Sequence, residues 1–541
     1  MRTSTRPTPA SGRRQAVPSP WPRPPVWLSA TLLACAIAAI RLAMVVFAPY
    51  ERAVGLFDDD AFYYFGVARH IAGGDGSTFN GLDPTNGYHP LWLLVLVPVF
   101  SVAQGHAALV VVTLVSAGLA VASARQLDRI GKLTGRPVLT LVFAAPLLVV
   151  GAAGPSFWYS GMETGLLLFA LLWLAATYLR TDGFTAERFG PGHARMAGAL
   201  MALAVLARLD TVFPMAVLGV LSAGMWARAG RPWLRLSLWL AAYPAIALAV
   251  YMSVNVALFD TALPVSGQAK ALGGTAFNVD VIRQFLSSPV LFGQSTWLGA
   301  IGLVVVGAAL ASRVSGRLGH SARYGAVILA GGMLTVGYYA VTSSWQLWPW
   351  YFSAAPLAIA LAGPAMAARW KTPARRLLAA ALVLLVVATV GANAVRATGG
   401  GVARSAFIEA GPRVAAQIDA LLPLGEPIAI GDRAGSLGYH LNRPVVHLEG
   451  LVNSAAHLDA MRTGRVAEFL AMRGVVLYAR GDAEPGDPDP THPGCVRFTE
   501  PQQGGGTKAR IVVCERDLLL TTPLGDGTSY RVWRYRANLA G

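Results

Sequence analysis

From residue 26 onward the chain alternates long apolar runs with short polar connections, and most of the runs approach the roughly 20 residues that cross a hydrocarbon layer as a helix. The pattern predicts helices near 26–48, 107–124, 138–153, 163–179, 196–208, 212–227, 234–257, 297–312, 325–341, 351–368 and 377–397, about eleven spans. Two pieces break the pattern. Residues 89–103 are too short to span and contain Pro90 and Pro98, which suits an interfacial or re-entrant helix. Residues 60–71 carry aromatics on one side with Arg69 and His70 near the end, as expected of a short helix lying on the membrane surface. After Arg396 the apolar runs shorten, and β-branched runs at 427–430, 444–448, 475–478, 510–514 and 530–535 predict a mixed α/β domain. Residues 1–25 are rich in Pro, Ser, Thr and Arg and predict a disordered tail. The expected organisation is a tail over 1–25, a polytopic α-helical membrane domain over 26–397 and a soluble mixed α/β domain over 398–541.

Composition agrees with that division. Of the 541 residues 54% are hydrophobic and 13% charged, with mean hydropathy +0.50, against about 25% charged in soluble domains. The net charge of +16 would suggest a nucleic-acid partner in a soluble protein. Here the arginines cluster between apolar runs, at Arg125/Arg129/Lys132/Arg136, Arg180/Arg188/Arg195, Arg228/Arg231/Arg235, Arg313/Arg317/Arg323 and Arg369/Lys371/Arg375/Arg376. That pattern reports topology and argues against nucleic acid. Five arginines precede the first run, so the N-terminus is expected in the cytoplasm of a multi-pass cytoplasmic-membrane protein. The first polar loop and, after an odd number of spans, the C-terminal domain are expected outside. Four turns come out on the same side, at 155–163, 208–211, 259–283 and 343–350. Cys495 and Cys514 share the C-terminal region; an oxidising compartment would allow them to pair, and two free thiols on separate strands is the alternative.

The polar residues beside these turns are the candidates for chemistry. Asp58, Asp59 and Asp60 follow the first span directly. They could form a solvated helix cap, but three adjacent carboxylates raise at least one pKa unless a cation or donor compensates, and a positioned carboxylate in a water-poor cleft can serve as a general base. Glu163 begins a helix, either complementing its dipole or serving a site. Arg208 and Asp210 interrupt an apolar stretch, as a local ion pair or as an anion-facing arginine. The outer segment 263–270 offers Ser266, Gln268 and Lys270, donors suited to a phosphate at the lipid–water interface, though an ordinary loop has the same composition. His89 could bind phosphate or sugar or be structural. Trp345, Trp348, Trp350 and Tyr351 read as an interfacial belt or a sugar-stacking platform. No Walker A, HExxH or CxxC pattern occurs.

Taken in order, these segments resemble the GT-C class of integral-membrane glycosyltransferases. The resemblance rests on Asp59-Asp60-Ala61, TNGYHPLW (85–92), SGMETGL (160–166), ARLD (207–210) and LPVSGQAK (263–270). In addition GDRAGSLGYHLNRPVVHLEGLVN (431–453) resembles the soluble domain of actinobacterial members such as the cell-wall arabinofuranosyltransferases; protein mannosyltransferase-like enzymes belong to the same class. The resemblance implies an inverting transfer of a sugar from a polyprenyl-phosphate donor to an extracytoplasmic glycan, lipid or protein, such as a cell-envelope glycan. Asp59 is then the expected base and Asp60 its partner, with the third acid, Asp58, leaving the register open by one. Asp58, His89, Glu163, Arg208, Asp210, Gln268 and Lys270 are the expected substrate-binding residues. Lys270, Arg208 or Arg52 could neutralise the departing phosphate. Oligosaccharyltransferases of the class hold a divalent metal on such acids, so a metal stays open. The alternative is a polytopic transporter or flippase for a lipid-linked or cell-wall precursor, which would place acids within helices and show repeated halves.

Overall fold

The computed structural model describes residues 29–153, 157–273, 276–289, 295–371, 406–502 and 508–536, with scattered positions between 373 and 391. The expected tail (1–25) and most of the last expected helix (377–397) lie outside the described residues.

Helix α1 (Ala30–Phe47) starts at Ser29, whose hydroxyl accepts from Leu32 N–H. Its first free N–H groups, on Ala30 and Thr31, donate to the Asp128 carboxylate at 2.9 and 3.1 Å, so an acid from another helix meets the positive end of α1. After α2 (Tyr50–Val54), α3 (Asp59–Gly73) and α4 (Pro90–Val102), Asp128 belongs to α5 (Gly105–Thr134). The latter is longer than expected: the basic connection at Arg125, Arg129 and Lys132 continues the helix, because Ala, Gln, Leu, Arg and Lys are strong helix formers. It stops where Gly135 takes φ 67°.

The bundle continues through α6 (Pro137–Ala153), α7 (Thr164–Arg180), α8 (Pro191–Ala207), α9 (Val212–Arg228), α10 (Trp233–Phe259), α11 (Val265–Lys270), α12 (Val279–Ser287), α13 (Leu298–Ala311), α14 (Gly316–Thr342) and α15 (Ala354–Met366). Five described helices are long and apolar enough to cross a membrane, and several shorter apolar helices pack among them. One end of the bundle gathers the basic connections. Asp182, after α7, pairs with Arg188 and with Arg317 of α14, and the Trp226 indole of α9 donates to Gly183 O at 2.7 Å.

At the opposite end sit α2, α3 and α4. Helix α4 has Pro at its first position and another within it; its 13 residues reach only about 20 Å. A short helix forms over 60–71 as expected, but its aromatics do not keep to one side. Residues Ala61–Ala68 of α3 are buried on every side, because α3 is sandwiched between α4 and the C-terminal domain rather than lying on the bundle. The aromatics Phe62, Tyr63, Tyr64 and Phe65 therefore pack inward around the whole helix.

From residue 406 on, the chain builds the expected mixed α/β domain. Helix Ala406–Asp419 leads into β1 (Ile428–Ile430), β2 (Val445–His447), β3 (Leu477–Asp482), β4 (Asp487–Pro488), β5 (Cys495–Glu500), β6 (Ala509–Cys514), β7 (Leu518–Pro523) and β8 (Ser529–Arg534). The main sheet has order β2-β1-β3-β8-β7, parallel through β2, β1 and β3 and antiparallel beyond; β4, β5 and β6 form a second, antiparallel sheet. Five of these strands fall at or overlapping the expected runs; β4, β5 and β7 were not read from sequence. Cys495 lies opposite Cys514 in the β5–β6 register and the two form a disulfide.

Candidate active site

All four turns expected on one side meet around a cavity of about 60 Å³ at the α3 end of the bundle. It is lined by Asp60, Tyr63 and Tyr64 of α3, by His89, by Glu163 and Arg208, by Lys270, by Trp350 and Tyr351, and by Leu451 and Val452 of the C-terminal domain.

Each side chain is fixed by its local turn. Gly161, at φ 83°, lets the 157–163 loop lie on α3; a Cβ there would come 2.8 Å from Ala61 Cβ. Trp92 Nε1 donates to the Gly161 carbonyl at 2.8 Å, tying α4 to the same loop. This puts Glu163, 1% exposed, where it accepts from the Tyr64 hydroxyl (3.0 Å) and from Arg208 Nη1 (3.2 Å). Arg208 follows α8 in extended conformation, and its Nε also pairs with Asp210 at 3.0 Å. Arg208 therefore makes the local ion pair and a second one with Glu163. Its guanidinium stacks 4.1 Å from the Tyr351 ring centroid.

Lys270 ends α11 and donates to the Tyr351 hydroxyl at 3.3 Å. Among the described residues it has no carboxylate within 4.0 Å, so it is the cavity's uncommitted cation. Its ammonium and the Asp60 carboxylate favour each other's charged forms. His89 accepts the Leu209 N–H on Nδ1 at 3.3 Å, which leaves its proton on Nε2, 3.9 Å from Glu163 Oε1. Burial lowers the His89 pKa, keeping the ring neutral.

The three aspartates part company. Asp58 takes the N-cap position of α3, its N–H donating to Ser160 O at 3.1 Å. The Asp59 carboxylate accepts from two backbone N–H groups of the C-terminal domain, Gly435 at 2.9 Å and Ser436 at 2.7 Å. Burial, with Asp60 and Asp432 nearby, pushes its pKa up to about 7 in spite of those two bonds. Asp60 lines the cavity, and among the described residues no hydrogen-bond donor contacts its carboxylate. Burial raises its pKa, opposed by the charge of Lys270.

Of the expected site residues, Asp60, His89, Glu163, Arg208 and Lys270 meet at the cavity, whereas Asp58, Asp59, Asp210 and Gln268 do not line it. Gln268 joins α11 to the C-terminal domain, accepting from Arg462 at 2.9 Å. Arg52 is exposed in a separate groove between α2 and helix Ala406–Asp419. Nothing in the residue pattern marks Tyr64 as a site residue, nor Leu451 and Val452 as a wall. Gly87 marks the latter: a Cβ there would lie 1.8 Å from Leu451 O, so the 85–92 loop and the 450–453 loop touch through backbone. Thr85 adds a hydroxyl bond to Asn453 O at 2.9 Å.

Among the described residues no group of three or more His, Cys, Asp and Glu side chains is arranged to hold a metal ion. Asp59 is taken by two amides, Glu163 by Arg208 and Tyr64, and His447 Nε2 by Tyr63 and Glu449 at 3.2 and 3.4 Å. Asp59, Glu163 and His447 Nε2 are thus committed to protein partners, and no catalytic step is assigned to a metal.

No protein-family model matches the chain, and no curated protein matches it. Among solved structures it is similar to ArnT from Cupriavidus metallidurans in the apo state, at 13% identity and TM-score 0.48, over 94% of this chain and 98% of that one. It is also similar to the oligosaccharyltransferase AglB from Archaeoglobus fulgidus in complex with an inhibitory peptide and a dolichol-phosphate, at 12% identity and TM-score 0.45, over 83% of this chain and 69% of that one. The likeness is one of overall chain course.

Proposed function

We propose that the protein is a membrane glycosyltransferase that moves a sugar from a polyprenyl-phosphate donor to an extracytoplasmic acceptor hydroxyl, with Asp60 as the base. The observation that carries this reading is the presence, in one cavity, of the Asp60 carboxylate, which accepts no hydrogen bond among the described residues, and the Lys270 ammonium, which has no carboxylate within 4.0 Å. Transfer needs a base at the attacking hydroxyl and positive charge at the departing phosphate. Arg208 serves the second need poorly, because Glu163 and Asp210 already neutralise it. Its role is to hold Glu163 and the Tyr351 ring in place.

In the step itself the Asp60 carboxylate takes the proton of the acceptor hydroxyl. The hydroxyl oxygen forms the new bond to the anomeric carbon from the face opposite the phosphate. The bond from that carbon to the phosphate oxygen breaks, its electron pair leaves with polyprenyl phosphate, and Lys270 meets the added charge with His89 Nε2–H beside it. The configuration inverts. Trp350 and Tyr351 supply aromatic surface for the sugar. The disulfide supports an oxidising, extracytoplasmic placement for this end of the molecule, and the arginine clusters at the other end support a cytoplasmic one. A cell-envelope glycan, lipid or protein suits the acceptor's place on that face.

The test is transfer of a radiolabelled pentose or hexose from polyprenyl-phosphate donors by purified protein in nanodiscs. Wild type should transfer from one donor and Asp60→Asn should not, at equal folding. Donor-independent lipid translocation by both proteins would instead establish the flippase reading.

A further inference from the structure

The two neighbouring acids of the first loop have different surroundings, and only one faces the cavity. Both oxygens of Asp59 are held by the helix Gly435–His440, Oδ2 by Gly435 N–H and Oδ1 by Ser436 N–H. The contact requires glycine at 435, since a Cβ there would come 2.1 Å from Asp59 O. The amides themselves are rigidly placed. Ser436 is fully buried and its hydroxyl donates to Ile408 O at 2.8 Å, while the Tyr530 hydroxyl of β8 donates to Arg433 O at 2.8 Å.

Other bonds also join the two parts of the chain, among them Tyr50–His440, Asp83–Arg473 and Thr85–Asn453. Asp59 differs in being the residue next to the cavity carboxylate, on the first turn of α3. Successive helix residues are about 100° apart, so fixing Asp59 against the C-terminal domain fixes the direction in which Asp60 leaves the helix. The same domain supplies Leu451 and Val452 opposite.

We propose that Asp59 is a positioning residue that locks the first turn of α3 to the Gly435–Ser436 amides and so aims Asp60 at the reacting hydroxyl, making the C-terminal domain an integral part of the active site. This rests on the reading of Asp60 as the base. Both Asp59 oxygens are occupied by amides and neither faces the cavity, so Asp59 is not placed to meet the acceptor hydroxyl, and the loss of aim by about 1 Å costs on the order of 100-fold in rate.

The experiment perturbs the contact from each side. Asp59→Ala and Gly435→Ala should each lower kcat by about 10- to 100-fold with KM for the lipid donor changed less than threefold, and the double variant should be no slower than the slower single. Asp59→Asn, which keeps one acceptor oxygen, should recover part of the rate. Hydrogen exchange, measured without substrate, should quicken at Gly435 and Ser436 in Asp59→Ala while β1 and β2 stay protected; Asp60→Asn should leave these amides unchanged. Wild-type kcat in Gly435→Ala, or unaltered exchange in Asp59→Ala, would overturn the proposal. So would complete loss of transfer in Asp59→Ala with exchange unchanged, which would make Asp59 the chemical base. Failure of wild type to transfer any sugar would tell against the reaction, whereas the exchange result would still decide the contact.

Discussion

Lys270 donates its ammonium to the Tyr351 hydroxyl at 3.3 Å, on a ring whose face is covered by Arg208 at 4.1 Å. The pair holds the ammonium on a fixed aromatic post. Removing the charge should therefore slow departure of the phosphate more than it weakens substrate binding. Lys270→Gln is expected to lower kcat by about 10²- to 10³-fold, and Lys270→Arg to retain part of it. Tyr351→Phe, which loses the post but keeps the charge, should cost less than Lys270→Gln. Steady-state rates with a saturating lipid donor check the ranking, and Lys270→Gln at wild-type rate would remove the phosphate role.

Glu163 is 1% exposed and its partner Arg208 is 3% exposed. Taking away the acid leaves the guanidinium with Asp210 alone and the Tyr64 hydroxyl without its acceptor. Breaking a buried pair by removing one partner costs about 3–5 kcal/mol. Glu163→Ala should accordingly lower the thermal midpoint by several degrees, and Glu163→Gln, which still accepts from Tyr64, should lower it less. Scanning fluorimetry in detergent distinguishes them.

Activity and stability should run in opposite directions with pH. The raised pKa of Asp60 places the acid limb of kcat/KM above the ordinary carboxylate range. Asp59 holds its proton more tightly folded, at about 7, than unfolded, at 3.8. Its contribution to stability is full below 3.8 and is lost as pH rises through about 7. The thermal midpoint should fall between pH 5 and 8, and Asp59→Asn should flatten that fall. An acid limb within the ordinary carboxylate range, or a midpoint that rises over this window, would contradict the assignment.

The Cys495–Cys514 disulfide closes a separation of 19 residues across β5 and β6, for which chain entropy gives a stabilisation of about 3 kcal/mol. Cys495→Ser/Cys514→Ser should unfold the C-terminal domain at lower temperature than wild type, followed by near-ultraviolet circular dichroism. The cavity contains neither cysteine, so kcat at 25 °C should change less than twofold.

Much of the helical frame was legible because apolar periodicity and length carry it: α6, α7, α9, α10 and α13 begin and end within two residues of their expected bounds. Helices α5 and α14 outran expectation because their basic ends continue as helix. Charge there reported sidedness without reporting a loop. Helix α3 was misread because its aromatics suggested one apolar face, and the second partner, the helix Gly435–His440, lies more than 360 residues away. For the same reason the order of the aspartates was not readable. Three adjacent acids look alike in sequence, and only the backbone amides at 435 and 436 distinguish Asp59 from Asp60. Glu163, Arg208 and Lys270 were legible singly, as polar residues beside helix ends where uncompensated charge is costly. That Arg208 is neutralised twice and Lys270 is not depends on contacts spanning turns 45 residues apart and more.

Strand β8 runs beside β3 inside the main sheet, and Tyr530 on it steadies the loop that presents Gly435. Residues 529–534 follow every described helix of the bundle along the chain, and synthesis proceeds toward them. A nascent chain already threaded into the bilayer therefore has its acid and its lysine but no wall opposite them. Transfer would have to await synthesis of that strand, and truncations that spare the whole helical bundle would be silent for want of it.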